Sequence, residues 1–128
     1  MKQRTPRRIL VLDDDRDTAQ TFAELLKVMG HDATYLTDPA KIDDYIAVVQ
    51  PHIAFLDLGM PREDGWKVAE RLRARYSAEA LKLVAITGHG SEEERAKSRR
   101  AGFDAHLLKP PSPDLVESIL TQFFSRPG

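Results

Sequence analysis

Short apolar runs and longer stretches of helical periodicity alternate along this chain from end to end. Ile9 to Leu12 is apolar throughout, and the segment from Asp17 to Met29 then places Ala19, Phe22, Leu25, Leu26 and Met29 on one helical face. Gly30 stands where a helix C-cap is expected. Ala33 to Thr37 predicts a second, weaker strand, and Asp38-Pro39 reads as an N-cap followed by proline at the first helical position. The second helix extends to about Gln50, where Pro51 blocks continuation. His52 to Leu56 is a continuous apolar strand of the kind buried on both faces. Gly65 precedes a third helix with Val68, Ala69, Leu72 and Tyr76 on one face, and Leu83 to Thr87 is the fourth strand. Ser91-Glu92-Glu93-Glu94 is a capping-box pattern opening a highly charged fourth helix that Gly102 closes. Phe103 to Leu108 supplies a fifth strand, and Ser112-Pro113 caps a last helix whose Leu115, Ile119, Leu120 and Phe123 are expected to face inward.

Strands that alternate with helices imply repeated βα units and a parallel sheet. Right-handed crossovers place helices on both faces, giving a (βα)5 sandwich, and the order 2-1-3-4-5 is one of the two common solutions. Ligands in such sheets bind at the carboxyl ends of the strands, where the strand order reverses. The polar residues that end these strands are Asp13 and Asp14 after the first, Asp57 after the third, Thr87 closing the fourth and Lys109 after the fifth. One crevice is therefore expected to gather three carboxylates, a hydroxyl and an ammonium.

Composition narrows the classes without changing that picture. The 128 residues fit one domain. A charged fraction of 30% with a net charge of -1 gives a mixed surface and no basic footprint for nucleic acid. Lys2, Arg4, Arg7 and Arg8 cluster at the start and read as a solvated tail, residues 1–8, before a domain over residues 9–125. With no cysteine, disulfides and thiolate metal sites are excluded. No apolar run approaches the roughly 18 residues of a membrane span. A cytoplasmic, soluble domain without membrane association is the expectation. No output domain is expected after the fifth helix.

Adjacent carboxylates Asp13 and Asp14 repel one another and Asp57, and one would stay protonated without a cation. Magnesium, or manganese, prefers such oxygen ligands and retains sites for water and phosphate oxygens. Asp14 and Asp57 are assigned as direct ligands, Asp13 as holding a bound water, and the Gly59 carbonyl as pointing into the same site. Asp57 is then a candidate nucleophile toward a phosphoryl donor. Lys109 would supply positive charge to the phosphoryl oxygens and Thr87 a hydroxyl hydrogen bond. Lys109-Pro110-Pro111 is a rigid turn; both isomers of the bond before Pro110 fit it, trans being the commoner in general. His31 and His52 show no ligand spacing.

These residues resemble the receiver domains of bacterial two-component response regulators. The matching stretches are Val11-Leu12-Asp13-Asp14-Asp15, Asp57-Leu58-Gly59-Met60-Pro61 with Asp64-Gly65, Thr87-Gly88 and Lys109-Pro110, in order along the chain. The resemblance implies a flavodoxin-like fold, and phosphoryl transfer to Asp57 from a phosphohistidine of a histidine kinase or histidine phosphotransfer protein. It also implies magnesium dependence and a switch read out on helix four, strand five and helix five, a surface that could also form a homodimer. In that family Thr87 would move toward the phosphoryl group while an aromatic residue on strand five turns inward. The matching position holds His106 in place of the usual tyrosine or phenylalanine, which leaves a switching and a merely structural role both open. Gly88 and Pro110 flank the switch residues, and His89 and Gly59 lie where they could affect water access to an acyl phosphate. The segments Val84 to Gly90 and Phe103 to Pro110 look like receivers attached to hybrid sensor kinases, which would put the chain in a phosphorelay.

Three rival readings compete with this one. A haloacid-dehalogenase-like phosphatase would use Asp13 as nucleophile, but Asp15-Arg16-Asp17-Thr18 departs from its glycine turn and Asp57 would have no task. A pseudo-receiver, a binding module that never carries phosphate, typically lacks site residues that are all present here. A flavin-binding module is disfavoured because Asp13 and Asp14 would repel the flavin phosphate.

Overall fold

The computed structural model describes residues 7–124, and the expected solvated tail lies, for residues 1–6, outside the described residues. The elements are β1 (Arg8–Leu12), α1 (Arg16–Val28), β2 (Asp32–Leu36), a 3-10 turn (Pro39–Lys41) running into α2 (Ile42–Val49), β3 (Ile53–Asp57), α3 (Gly65–Arg75), β4 (Lys82–Thr87), α4 (Glu92–Ala101), β5 (Ala105–Leu108) and α5 (Pro113–Phe124). All strand pairs are parallel, in the order β2-β1-β3-β4-β5. The expected topology is the observed one.

Alternation along the strands splits the core into two layers. Leu10, Leu12, Leu56, Leu83 and Ala85 face α2, α3 and α4, where they meet Ile42, Ile46, Val68 and Leu72. Ile9, Val11, Phe55, Ile86 and Leu107 face α1 and α5, where they meet Phe22, Leu26, Val116 and Leu120. Phe22 and Phe55 pack edge to face with centroids 5.0 Å apart.

Local chemistry sets the helix ends. Asp15 caps α1 by accepting the Asp17 amide at 3.2 Å and the Thr18 hydroxyl at 2.7 Å. Asp64 caps α3 through the Lys67 amide, and Ser91 caps α4 through the Glu94 amide. Gly102 ends α4 with φ +108°, a conformation that costs an L side chain dearly.

Several boundaries differ from the sequence expectation. Arg8 is the first residue of β1, not tail: its guanidinium donates to the Gln50 carbonyl at 2.8 Å. β2 begins one residue earlier than expected, at Asp32, and β5 begins at Ala105 instead of Phe103. Phe103 instead turns into the core, and the Asp104 carboxylate receives the Leu83 amide and the Arg73 guanidinium. On α5 the buried stripe is centred on Val116 and Leu120, which leaves Leu115 55% exposed and contradicts its inward placement. Gly65 is the first residue of α3, not a residue before it.

Candidate functional site

Strand register brings the polar strand ends onto one rim. Leu12 pairs with Leu56, which sets Asp13 beside Asp57. Asp57 pairs with Ile86, and Thr87 pairs with Leu108, so Thr87 and Lys109 follow on the next two strands. A tight β3–α3 connection supports this arrangement. A Cβ on Gly65 would lie 2.5 Å from the Asp57 carbonyl oxygen and 2.9 Å from the Leu58 Cα, so only glycine fits behind the rim.

Asp13 and Asp57 are buried and Asp14 is exposed, with carboxylate oxygens of all three within 4.8 Å of one another. Lys109 reaches into the cluster from the turn after β5, its Nζ 3.0 Å from Asp13 Oδ2 and 3.2 Å from Asp57 Oδ1. The Lys109–Pro110 bond is cis, the rarer of the two isomers that fit the sequence. The Asp15 amide donates to Asp13 Oδ1 at 2.9 Å, and the Gly59 amide donates to Asp57 Oδ1 at 3.1 Å.

Three carboxylates against one ammonium leave the rim short of positive charge. Burial pushes the Asp13 carboxyl above its ordinary range; the Asp15 amide and Lys109 oppose this, and the charge of Asp57 adds to it. Burial would lower Lys109, but Asp13 and Asp57 together outweigh it and hold the ammonium above its usual range. An oxygen-lined, anionic, partly solvated cluster of this kind suits a hard divalent cation. Among the described residues, the candidate ligands are Asp13, Asp14 and Asp57. Beside them opens a cleft of about 570 Å³ walled by Thr18, Thr21, Phe22 and Pro111.

Thr87 is buried on the rim, but its hydroxyl does not face the carboxylates. Oγ1 donates to Glu94 Oε1 on α4 at 2.9 Å and accepts the His89 amide at 3.2 Å. His106 lies on the same side of the sheet with its side chain only 8% exposed, Nε2 standing 3.7 Å from that same Glu94 oxygen. Burial lowers its pKa below the usual imidazole value; the nearby Arg95 lowers it further, against a rise from Glu94. Gly88 and His89 are exposed at the rim, and Pro110 lines the cleft. His52 accepts the Arg8 amide at the opposite edge, far from this chemistry.

The structure thus brings Asp13, Asp14, Asp57 and Lys109 together as expected, with Gly59 beside them and Thr87 at the edge. Sequence reasoning missed Glu94, whose position in a capping box gave it a sufficient local role. It also gave Gly65 no reason beyond a helix start, although the Asp64-Gly65 pair was in view.

Fold and rim together define a doubly wound α/β domain with an acidic, lysine-tethered crevice at its switch point. The model of the response regulator receiver domain matches residues 9–121, and the chain belongs to that family. It is thus a receiver domain of the two-component signalling class. A Leptolyngbya boryana protein described as an uncharacterized 14.6 kDa protein in the sodA1 3′ region is 31% identical over 115 residues, which are 90% of this chain and 88% of that protein. The response regulator MprA of Mycobacterium sp. (strain KMS) is 35% identical over 105 residues, 82% of this chain and 45% of that protein. The chain spans less than half the length of MprA. Among solved structures, a CheY-like receiver domain protein from Methanospirillum hungatei JF-1 is 26% identical with a TM-score of 0.82, covering 93% of this chain and 94% of its own. A two-component response regulator from Clostridium difficile, at 19% identity, shares the fold with a TM-score of 0.85 over 94% of this chain and 97% of its own. No helix among the described residues is long and apolar enough to cross a membrane.

Proposed function

We propose that the chain accepts a phosphoryl group on Asp57 from the phosphohistidine of a histidine kinase or phosphotransfer protein, using magnesium or manganese. The observation that carries this reading is a buried Asp57 carboxylate held within 3.2 Å of the Lys109 ammonium on an acidic rim. Asp57 Oδ1 is committed to the Gly59 amide and Lys109, which leaves Oδ2 as the attacking oxygen. Attack forms the O–P bond as the N–P bond of the donor breaks, and its electron pair returns to the donor imidazole. Lys109 meets the charge on the phosphoryl oxygens, and the Thr87 hydroxyl at the adjacent strand end is the side-chain donor that joins it.

Asp13, Asp14, Asp57 and the Gly59 carbonyl would hold the cation, which when bound screens the repulsion between these carboxylates and the incoming phosphoryl group. A Cβ at Gly59 would stand 4.0 Å from Asp57 Oδ1, so the missing side chain leaves an approach to the acceptor open. The surface of α4, β5 and α5 is the proposed readout and the proposed contact for a second copy.

Intact mass after incubation with a small phosphodonor tests this reading on wild type and Asp57→Asn. A magnesium-dependent gain of one phosphoryl group, lost in the variant, is expected. Undiminished incorporation in Asp57→Asn would overturn the assignment, and catalytic release of phosphate dependent on Asp13 would favour the phosphatase reading.

A further inference from the structure

Glu94 sits at the third position of α4, where a capping box would return its carboxylate to the Ser91 amide. The forward arm of that box exists, since the Glu94 amide donates to Ser91 Oγ at 3.1 Å. The carboxylate instead takes the Thr87 hydroxyl at 2.9 Å across the gap between α4 and the end of β4. A hydroxyl has one proton to donate. While Thr87 donates to Glu94 it cannot donate to a phosphoryl oxygen on Asp57.

The same carboxylate has an unsatisfied neighbour. Both ring nitrogens of His106 are buried without a hydrogen-bond partner, and Nε2 is 3.7 Å from Glu94 Oε1. Such buried nitrogens cost free energy until they find a partner. The charged groups around the ring, besides Glu94, are Arg95 and Arg99 of α4 and Asp104 of the turn before β5. None of them makes a hydrogen bond to it.

We propose that Glu94 is a positioning residue, a ground-state latch that holds the Thr87 hydroxyl on the α4 side of the rim. Phosphorylation of Asp57 draws the hydroxyl away, and the released carboxylate closes onto His106 Nε2. This rests on the proposed receiver function. It goes beyond it in giving this chain's Glu94 and His106 a shared, exchangeable hydrogen bond. α4 is free to follow such an exchange, because it buries only Ser98 and Ala101.

Fluorine NMR titration of beryllofluoride with magnesium, a mimic of the phosphoryl group, reads the latch. Wild type, Glu94→Ala, Glu94→Gln, Thr87→Ala and the Thr87→Ala/Glu94→Ala double variant are compared. Glu94→Ala removes the bond that competes with binding, a gain only partly offset by losing the bond later made to His106, so beryllofluoride should tighten about fivefold. Glu94→Gln keeps an acceptor without its charge and should fall between the two. In the Thr87→Ala background the same change should alter affinity by less than about twofold, since the latched group is gone. Wild type that binds, with Glu94→Ala no tighter, would overturn the latch alone. An equal gain with and without Thr87 would also overturn it, because generic loosening of α4 would then be the cause. Wild type that never binds beryllofluoride would overturn the receiver reading itself.

Discussion

Helices α3 and α4 lie side by side on one face of the sheet, yet they are held in opposite ways. α3 buries Gly65, Val68, Ala69 and Leu72, and its Arg73 donates to the carbonyls of Gly102, Leu81 and Tyr76 and to the Asp104 carboxylate. Arg71 adds ion pairs to Asp43 and Glu63. α4 buries no large apolar side chain of its own. It rests on a few polar contacts: Trp66 Nε1 donating to Ser98 Oγ at 3.0 Å, Lys97 over the Trp66 ring at 4.0 Å, and Thr87 donating to Glu94. Apolar burial has one best arrangement, whereas polar contacts near water can be exchanged at low net cost. The contrast teaches that α3 is the fixed wall of the rim and α4 its adjustable one.

Truncation should expose that difference most sharply in the core. Leu72→Ala, at a fully buried position of α3, should lose about 2–5 kcal/mol of stability in urea unfolding. Glu94→Ala on α4 should lose less than about 1 kcal/mol. Comparable losses at both sites would break the comparison. Arg73→Ala comes next, at about 2–4 kcal/mol, because the Leu81 and Gly102 carbonyls lose their guanidinium partner.

The rim itself should behave as a site held at a cost to the fold. Because burial raises the Asp13 pKa above its unfolded value, its contribution to stability is complete below the ordinary carboxylate range and is lost as pH rises through the raised folded value. At neutral pH without metal, Asp13→Asn should therefore stabilise, on the order of 1 kcal/mol, because Asp57 keeps Lys109 paired while one buried like charge is removed. Magnesium at about ten times its Kd should add about 1.4 kcal/mol to wild type. Thermal melts with chelator and with magnesium check both, and a destabilised Asp13→Asn in chelator would contradict the charge argument.

The smallest effect belongs to the α4 side. Burial, with Arg95, holds His106 below the ordinary imidazole range, and burial with Arg8 and Arg7 does the same for His52. Both contribute stability that is present above about pH 6.5 and lost as pH falls through their lowered folded values. His106→Phe should flatten the stability loss between about pH 7 and 5 and leave the share of His52. An unchanged profile would mean the ring takes up its proton without strain.

Much of this was legible in the chain because parallel βα units convert strand ends into neighbours. Once Ile9–Leu12, His52–Leu56 and Leu83–Thr87 were read as strands, Asp13, Asp57 and Thr87 had to share a rim. What escaped depended on side-chain direction across elements. Leu115 looked like its neighbours Ile119 and Leu120, but the roll of α5 on the sheet turned it outward. Glu94 satisfied a local capping pattern, so nothing in the sequence sent its carboxylate to Thr87. His106 fits a switching and a structural role equally on sequence alone, and it is the seat of α4 against β5 that buries its ring.

On the proposed function, charge placed on Asp57 reaches α4 while α3 stays fixed, and amide hydrogen exchange with and without magnesium beryllofluoride compares the two helices. The expected result is altered protection over residues 87–101 with residues 65–75 unchanged. Equal change in both helices, or none in α4, would contradict the account.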